Sequence, residues 1–128
     1  MTVFLYFCYC RNMEERNKVG ARYAAMFSAM GSEARLAILR LLLAAHPDGM
    51  VAGELQSELG IPASTLSHHL EKLRAQELVR VRRERQFLWY AADTETLRRL
   101  LGFLYEECCS RNRVVEPEQF IQVKGTRR

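Results

Sequence analysis

Apolar residues recur every three or four positions along the first part of the chain, which is the period of amphipathic helices. A first helix is predicted from about residue 14 to Met30, where Gly31 breaks the pattern. A second is predicted from Ser32, a favoured N-cap residue, to about Ala45. The residues expected to face the core are Val19, Tyr23, Met26 and Phe27 in the first helix and Leu36, Leu39 and Leu43 in the second.

A tight turn and two shorter helices follow. Residues 46–49 read HPDG, a strong turn signal, and a short helix is predicted over 52–59 with Leu55 and Leu59 on one face. The sequence GIP at 60–62 interrupts it, and another helix is predicted from near Ala63 to near Gln76. Its inward residues, at i, i+4 and i+7, are Leu66, Leu70 and Leu73.

The period of the pattern then changes from helix to strand. Two runs rich in strand-forming residues, 78–82 and 87–90, flank Arg-Glu-Arg-Gln at 83–86, which predicts a hairpin. A last helix begins after a cap at Asp93 or Thr94. Its apolar stripe is Leu97, Leu101, Leu104 and Cys108. The predicted fold is mainly α with a small β-hairpin: a winged helix-turn-helix with extra helices at both ends.

Composition narrows this picture only a little. The chain has 128 residues, enough for one domain, and a net charge of +4, which permits contact with nucleic acid. It has no apolar run of membrane-spanning length, and its short apolar start lacks the basic region and small-residue cleavage site of a secretory signal. We therefore expect a cytoplasmic protein whose four cysteines are reduced thiols. We divide it into an N-terminal extension (1–12), a regulatory domain (13–109) and a flexible tail (110–128). The extension differs in composition, and Met13 is a candidate native start.

The outward face of the predicted second helix of the helix-turn-helix is the candidate DNA reader. Small hydroxyls and a histidine reach base edges or phosphates without holding the helix away from the groove. An alternative for Ser64 is capping the helix, and His69, beside Leu70, is expected to pack. The candidate DNA contacts on this helix are Ser64, Thr65, Ser67, His68 and Lys72.

Arginines crowd the predicted hairpin. A charge run is usually a solvated face, but a hairpin beside a helix-turn-helix is placed to lie along phosphates, which makes binding strongly salt-dependent. The candidate contacts here are Arg80, Arg82, Arg83, Arg85 and Gln86.

These elements carry a resemblance. The stretch from SEARLAILRLL through STLSHHLEKL to the arginine-rich hairpin resembles the ArsR/SmtB family of arsenic- and metal-responsive repressors, over about residues 14–109. The resemblance implies a homodimer, held by the first and last helices, that binds an imperfect operator palindrome and releases it when an effector binds. Two departures concern turn geometry: Glu77 and the pair Arg85-Gln86 stand where the family commonly has glycine.

The family's effector sites differ, and most find no match here. The start of the helix before the recognition helix has no cysteine cluster, the second helix has no cysteine, and the histidines (His46, His68 and His69) lie outside the last helix. The remaining feature is FLYEECC, which resembles the vicinal pair of arsenical-responsive members. Cys108 and Cys109 are therefore expected to bind trivalent arsenic or antimony, which favour soft thiol ligands, with no permanent cofactor.

A third ligand and the trigger remain open. Cys8 or Cys10 supplies a third thiol if the first helix crosses the partner's last helix; without them a two-thiol site favours methylarsenite. Cys108 could instead extend the apolar stripe, and oxidation or persulfide could be the trigger. A winged helix that contacts only proteins is a further alternative. We expect no enzyme, because no nucleophile–base group or phosphate-binding glycine loop appears.

Overall fold

The computed structural model describes the backbone of residues 2–109 and the side chains of residues 15 and 17–105. Most of it is helical, with a three-stranded antiparallel sheet, which confirms the predicted fold class. The elements in chain order are α1 (Thr2–Met30), α2 (Glu33–Ala44), β1 (Met50–Val51), α3 (Ala52–Leu59), α4 (Ala63–Ala75), β2 (Val79–Glu84), β3 (Phe87–Ala92) and α5 (Thr94–Cys109).

Helix α1 is longer than predicted. It begins at Thr2 instead of near residue 14, since no proline or glycine before Gly20 ends a helix in this segment. Its core contact is made near the C-terminal end by Met26 and Ala29, which are buried. The prediction that Val19 faces the core is wrong: its side chain is 44% exposed. The buried face therefore occupies only the last turns.

Helix α2 agrees only in part with the prediction, because Leu39 is buried as expected, Leu43 is half-buried and Leu36 is not buried. Ser32 does take the N-cap position, but its side chain makes no capping hydrogen bond. Leu36 is exposed, whereas the buried residues are Ile38, Leu39 and Leu42. Because α2 carries leucines around most of its circumference, the apolar period alone does not select the face, and packing against α1, α3, α4 and β3 does.

A turn follows α2, and after it comes a short strand that the sequence did not indicate. The turn predicted at 46–49 lies one residue earlier, at 45–48, and Gly49 leads into the two-residue strand β1, which pairs with β3. Gly49 has φ +84°, and a Cβ there would collide with the carbonyl oxygen of Tyr90. Only glycine fits this close approach, which is what lets β1 join the sheet in the order β1-β3-β2.

The two helices of the helix-turn-helix agree with the sequence prediction. Helix α3 has the predicted bounds and ends at Gly60, which takes a left-handed conformation with φ +63°, where glycine is favoured. Helix α4 begins one residue after Pro62. The residues that fix these helices to the core are Leu55, Leu66, Leu70 and Leu73, all fully or nearly fully buried.

The wing, residues 79–92, is a hairpin with a tighter end than predicted. Strand β2 continues through Arg83 and Glu84, so only Arg85 and Gln86 form the turn. Alternation along paired strands places Arg80, Arg82 and Glu84 on one face with Trp89 and Phe87. Arg83 lies on the opposite face, which includes the buried residues Val79 and Ala92.

Helix α5 belongs to a second compact unit that begins at Glu95. The helix begins at Thr94, so Asp93, one of the two predicted cap residues, takes the position just before it. Thr96 and Leu100 are buried, whereas Leu101 and Leu104, on the predicted apolar stripe, are 55% and 51% exposed. No helix among the described residues is long and apolar enough to cross a membrane.

Candidate nucleic-acid interface

Helix α4 presents one apolar and one polar face. The three leucines at positions 66, 70 and 73 are buried, and every predicted contact residue on this helix is exposed. These exposed residues are Ser64, Thr65, Ser67, His68 and Lys72. The alternative that Ser64 caps the helix is wrong, because Pro62 occupies the N-cap position and Ser64 lies within the first turn.

The beginning of α4 suits an anion. Its first turn contains no acidic residue, and the first backbone N–H groups of a helix carry partial positive charge. Glu71 is the acidic residue on this exposed face, about two turns after the start of the helix. Its carboxylate lies 3.7 Å from the guanidinium of Arg74, which partly offsets the negative charge.

His68 and His69 are neighbours with different environments. His68 is exposed, whereas His69 is half-buried, as the packing prediction required, and its Nδ1 is buried with no hydrogen-bond partner among the described residues. Burial holds the pKa of His69 below its ordinary value, and the positive charges of Arg35, His68 and Lys72 act in the same direction. His69 is therefore a neutral packing residue, and His68 is the histidine available to a ligand.

Arg80 is held by an acidic partner. Its Nε donates to Oδ2 of Asp93 at 2.7 Å, and the Asp93 side chain is only 8% exposed. Asp93 also donates its backbone N–H to the Leu78 carbonyl oxygen, so it joins both ends of the hairpin. The Arg80–Asp93 pair thus fixes the base of the wing.

Arg82 is held by three contacts on the outer face of the wing. Its Nη1 donates to the carbonyl oxygen of Asp48 at 2.8 Å, and its guanidinium carbon lies 5.1 Å from the ring centroid of Trp89. Glu84 lies 3.7 Å from its Nε. A cation over an indole face, with a backbone oxygen accepting at its edge, ties the wing to the turn after α2. The sequence did not indicate this role for Trp89 and Asp48, although the alternation of the strand places Trp89 beside Arg82.

Arg83, Arg85 and Gln86 have a different character from Arg80 and Arg82. All three are exposed at the end of the wing, and among the described residues no hydrogen bond or ion pair engages them. The structure thus divides the four predicted arginines into two that hold the wing and two whose guanidinium groups are available.

Both positions where glycine was expected have left-handed backbone. Glu77 has φ 59° and Arg85 has φ 58°, although neither is glycine. Glu77 accepts a hydrogen bond from Nη2 of Arg22 at 3.0 Å, which connects α1 to the turn between α4 and β2. Non-glycine residues are rare in this conformation, so the backbone at both turns is strained.

The predicted thiol ligands lie where the structure does not describe side chains. Cys8 and Cys10 fall within α1 and Cys108 and Cys109 within the end of α5, but all four side chains are outside the described residues, as is the whole of 110–128. Among the residues that are described, no three His, Cys, Asp or Glu side chains gather as a metal site.

Comparison with known proteins places this architecture among transcription regulators. A family profile described as a helix-turn-helix domain matches residues 30–82, from the end of α1 into β2. HlyU of Vibrio cholerae, which is named a transcriptional activator, is 34% identical over 101 residues, which cover 79% of this chain and 91% of that protein.

Solved structures share the fold. NolR from Sinorhizobium fredii is 37% identical, with a TM-score of 0.58, and the match covers 72% of this chain and 89% of that one. An ArsR-like transcriptional regulator from Rhodococcus has a TM-score of 0.65 at 23% identity, covering 84% and 93% of the two chains.

Proposed function

We propose that this chain, which belongs to the ArsR family of winged helix-turn-helix transcriptional regulators, is a repressor that releases its operator when trivalent arsenicals or antimonite bind its cysteine thiols. The relatives are regulators with a helix-turn-helix domain, so binding to double-stranded DNA is what the family itself supports. The polarity of regulation, the operator contacts, the homodimer and the effector are the parts proposed here.

The observation that supports operator recognition best is that α4 has one buried apolar face and one exposed polar face. Its leucines are buried, which leaves an exposed face of Ser64, Thr65, Ser67 and His68. Hydroxyl groups and an imidazole can donate and accept, so in the major groove they read base edges or contact phosphates. Lys72, a turn further on, contributes a positive charge.

The wing supplies the flanking phosphate contacts. We assign these to Arg83, Arg85 and Gln86, because they are exposed and uncommitted among the described residues. Arg80 and Arg82 contribute indirectly by holding the wing against Asp93 and against the turn at Asp48. Their charge still adds to the local positive potential.

Homodimer formation through the first and last helices rests on apolar surface. Leu101 and Leu104 lie on one stripe of α5, and more than half of each side chain is exposed in the single chain. On α1, Val19 is also exposed. A second copy would cover such surfaces, and two copies would present two α4 helices to the halves of a palindrome.

The effector proposal rests on the chemistry of adjacent thiols. Trivalent arsenic arrives as a neutral hydroxide; each As–OH group condenses with a Cys–SH group to form an As–S bond and release water. Cys108 and Cys109 provide two thiols one residue apart, near the end of α5. Successive helical residues point about 100° apart, so one arsenic atom that binds both sulfurs must distort the end of the helix. If α5 is also the dimer contact, that distortion weakens operator binding.

A titration of the DNA complex tests the function. The probe is a fluorescein-labelled duplex containing the site that footprinting locates upstream of the chain's own gene. We expect arsenite, methylarsenite or antimonite to lower its anisotropy, and zinc and cadmium to leave it unchanged. Cys108→Ser and Cys109→Ser should bind DNA normally and resist release; release from either variant contradicts the thiol site. A response to polysulfide without a response to arsenicals would establish the redox alternative.

Two further arms complete the experiment. A reporter under the same promoter should be more active when the gene is deleted, and the opposite change would make the protein an activator. The double variant Cys8→Ser/Cys10→Ser tests the third ligand, because it removes both candidate thiols at once. If it leaves the arsenite response unchanged, the site has two protein thiols.

A further inference from the structure

A group of basic side chains gathers where α4 packs against α2. Helical spacing places His68, His69 and Lys72 on one side of α4, since residues three and four apart are neighbours on a helix. The positive charge of Arg35, on α2, lowers the pKa of His69 more than that of either neighbour on the same helix does. Arg35 and His69 are therefore close in the fold, although they are distant along the chain.

Arg35 is positioned by the end of α1. It is half-buried, and its Nε donates to the carbonyl oxygen of Ala29, which lies in the last turn of α1. The carbonyl groups of a last turn lack partners within their own helix, so this contact caps α1. Among the described residues no other hydrogen bond and no ion pair engages the guanidinium. The two terminal amino groups of Arg35 thus remain available to a ligand.

No acidic residue balances this group in the described part of the chain. The charged residues that act on the His69 ring are Arg35 of α2 and two neighbours on α4, and none comes from α1, α3 or β2. Glu71, the exposed acid of α4, is paired with Arg74. The buried Nδ1 of His69 has no hydrogen-bond partner among the described residues either. Basic groups that lie close together without a counter-charge attract an anion.

A phosphate group suits these donors best. The planar guanidinium of an arginine matches the oxygens of a phosphate and donates two parallel hydrogen bonds to it. His68 and Lys72 also belong to the exposed face of α4, which we propose enters the major groove. Phosphates line both edges of that groove, so a phosphate lies beside this side of the helix whenever α4 is in place.

We propose that Arg35, His68 and Lys72 form a binding site for a phosphate group beside the ring of His69. This inference rests on the proposed DNA-binding function and extends its contact surface from α4 to α2. Arg35 donates to the phosphate oxygens from one side, and His68 and Lys72 donate from the other. The operator backbone and free inorganic phosphate offer the same chemistry, and the position of the site beside the exposed face of α4 favours the backbone.

Occupation of the site changes the protonation of His69. In the free protein, burial and the charges of Arg35, His68 and Lys72 hold the pKa of His69 below its ordinary value. A bound phosphate opposes those charges, so this pKa rises and the complex takes up a proton at a pH between the two values. Because the bound state holds more protons, operator affinity should increase as the pH falls through that interval.

The first test scans the footprinted duplex with single methylphosphonates, each of which removes the charge of one phosphate. Wild-type protein should lose about tenfold in affinity, ~1.4 kcal/mol, at one position in each half-site. Arg35→Gln should bind the unmodified duplex about tenfold more weakly and lose nothing further at that position, because the contact is already absent. Its slope of log affinity against log salt should fall by about one.

Two variants control for folding and for charge. Lys72→Gln leaves the cap of α1 intact and should also reduce the loss at the same methylphosphonate. Arg40→Gln removes an exposed arginine of α2 outside the group and should give the wild-type scan. A full tenfold loss at that position in Arg35→Gln, or a wild type that is insensitive at every position, would overturn the contact with the backbone and leave DNA binding intact.

NMR of histidine-labelled protein distinguishes the two sources of phosphate. The pKa of His69 should rise in the operator complex. Inorganic phosphate is then added to the free protein, with chloride at equal ionic strength as the control. A rise with the operator alone assigns the site to the backbone, a rise with inorganic phosphate shows that the free anion also occupies it, and no rise with either would overturn the proposal. If the protein binds no duplex specifically, the proposed function fails, and the inorganic phosphate titration alone decides whether this site exists.

Discussion

Arg80 and Asp93 are joined at 2.7 Å across the base of the wing, with a solvent-exposed guanidinium on a carboxylate that is only 8% exposed. Arg80→Ala removes this donor and leaves Asp93 buried with one fewer partner. We expect the free energy of unfolding to fall by about 1–2 kcal/mol, measured by urea denaturation. Arg83→Ala is the matched control, because it removes an exposed arginine from the same strand and should change stability by less than about 0.5 kcal/mol. Equal losses of unfolding free energy in the two variants would contradict the conclusion that Arg80 holds the wing and Arg83 does not.

Glycine substitutions at Glu77 and Arg85, which both have left-handed backbone, distinguish effects on stability from effects on DNA binding. Glycine adopts this conformation without strain, so Glu77→Gly and Arg85→Gly should each raise the free energy of unfolding by about 0.5–1 kcal/mol. The loss of the exposed Arg22–Glu77 pair reduces the first gain only slightly. Arg85→Gly alone should weaken operator binding, since only it removes a side chain that we propose contacts phosphate. Thermal unfolding and anisotropy on both variants check this; equal affinities would argue against Arg85 as a contact.

Stability should fall in acid through His69. The pKa of His69 in the folded chain lies below the ordinary value of about 6.5, because burial and the charges of Arg35, His68 and Lys72 disfavour the cation. The unfolded chain therefore binds the proton first. As the pH falls below about 6.5 the folded state loses stability, down to the pKa of the folded state, by at most ~1.4 kcal/mol per pH unit.

The check compares unfolding between pH 7.5 and 5.5. His69→Gln should flatten the curve relative to wild type, whereas His46→Gln, which replaces an exposed histidine on the turn after α2, should not. A wild-type slope in His69→Gln would remove this residue as the cause.

Leu101 offers a test of the dimer. Leu101→Glu places a charge on the exposed apolar stripe of α5. If a second copy covers this stripe, the variant should be monomeric by sedimentation at micromolar concentration, and its affinity for the full palindrome should fall by at least about tenfold. Arg98→Gln, on the same helix with a 78% exposed side chain, is the control. A dimeric Leu101→Glu protein would place the interface elsewhere.

The helix-turn-helix was predictable because its signals are local. Leucines at i, i+4 and i+7 define the buried face of α4, and Gly60 and Pro62 mark the turn, so the bounds of α3 and α4 agree closely with the prediction. The buried face of α2 was not predictable in the same way. With leucines on several sides, neighbouring elements decide which of them are buried, and the exposure of Leu36 follows from that choice.

In the wing, too, the sequence could not show which candidate residues have partners elsewhere in the chain. Its arginines look equivalent in sequence, yet Arg80 and Arg82 have partners that are distant along the chain, Asp93 and Asp48. Strand β1 was also missed, because two residues are too few to show a period and its pairing depends on Gly49. Residue type identified the candidate contacts, and long-range pairing separated the arginines proposed to bind DNA from those that hold the wing.

The central claim is that α4 and the free arginines of the wing form one DNA-binding surface, and the salt dependence of operator affinity tests it most directly. Wild-type protein should bind the footprinted duplex with an affinity that falls steeply as salt rises. In Arg83→Ala and Arg85→Ala the slope of log affinity against log salt should decrease by about one for each phosphate contact removed. Ser67→Ala should weaken the specific site with little change in slope. An unchanged slope in both arginine variants, or equal binding of specific and random duplexes by the wild type, would contradict the account.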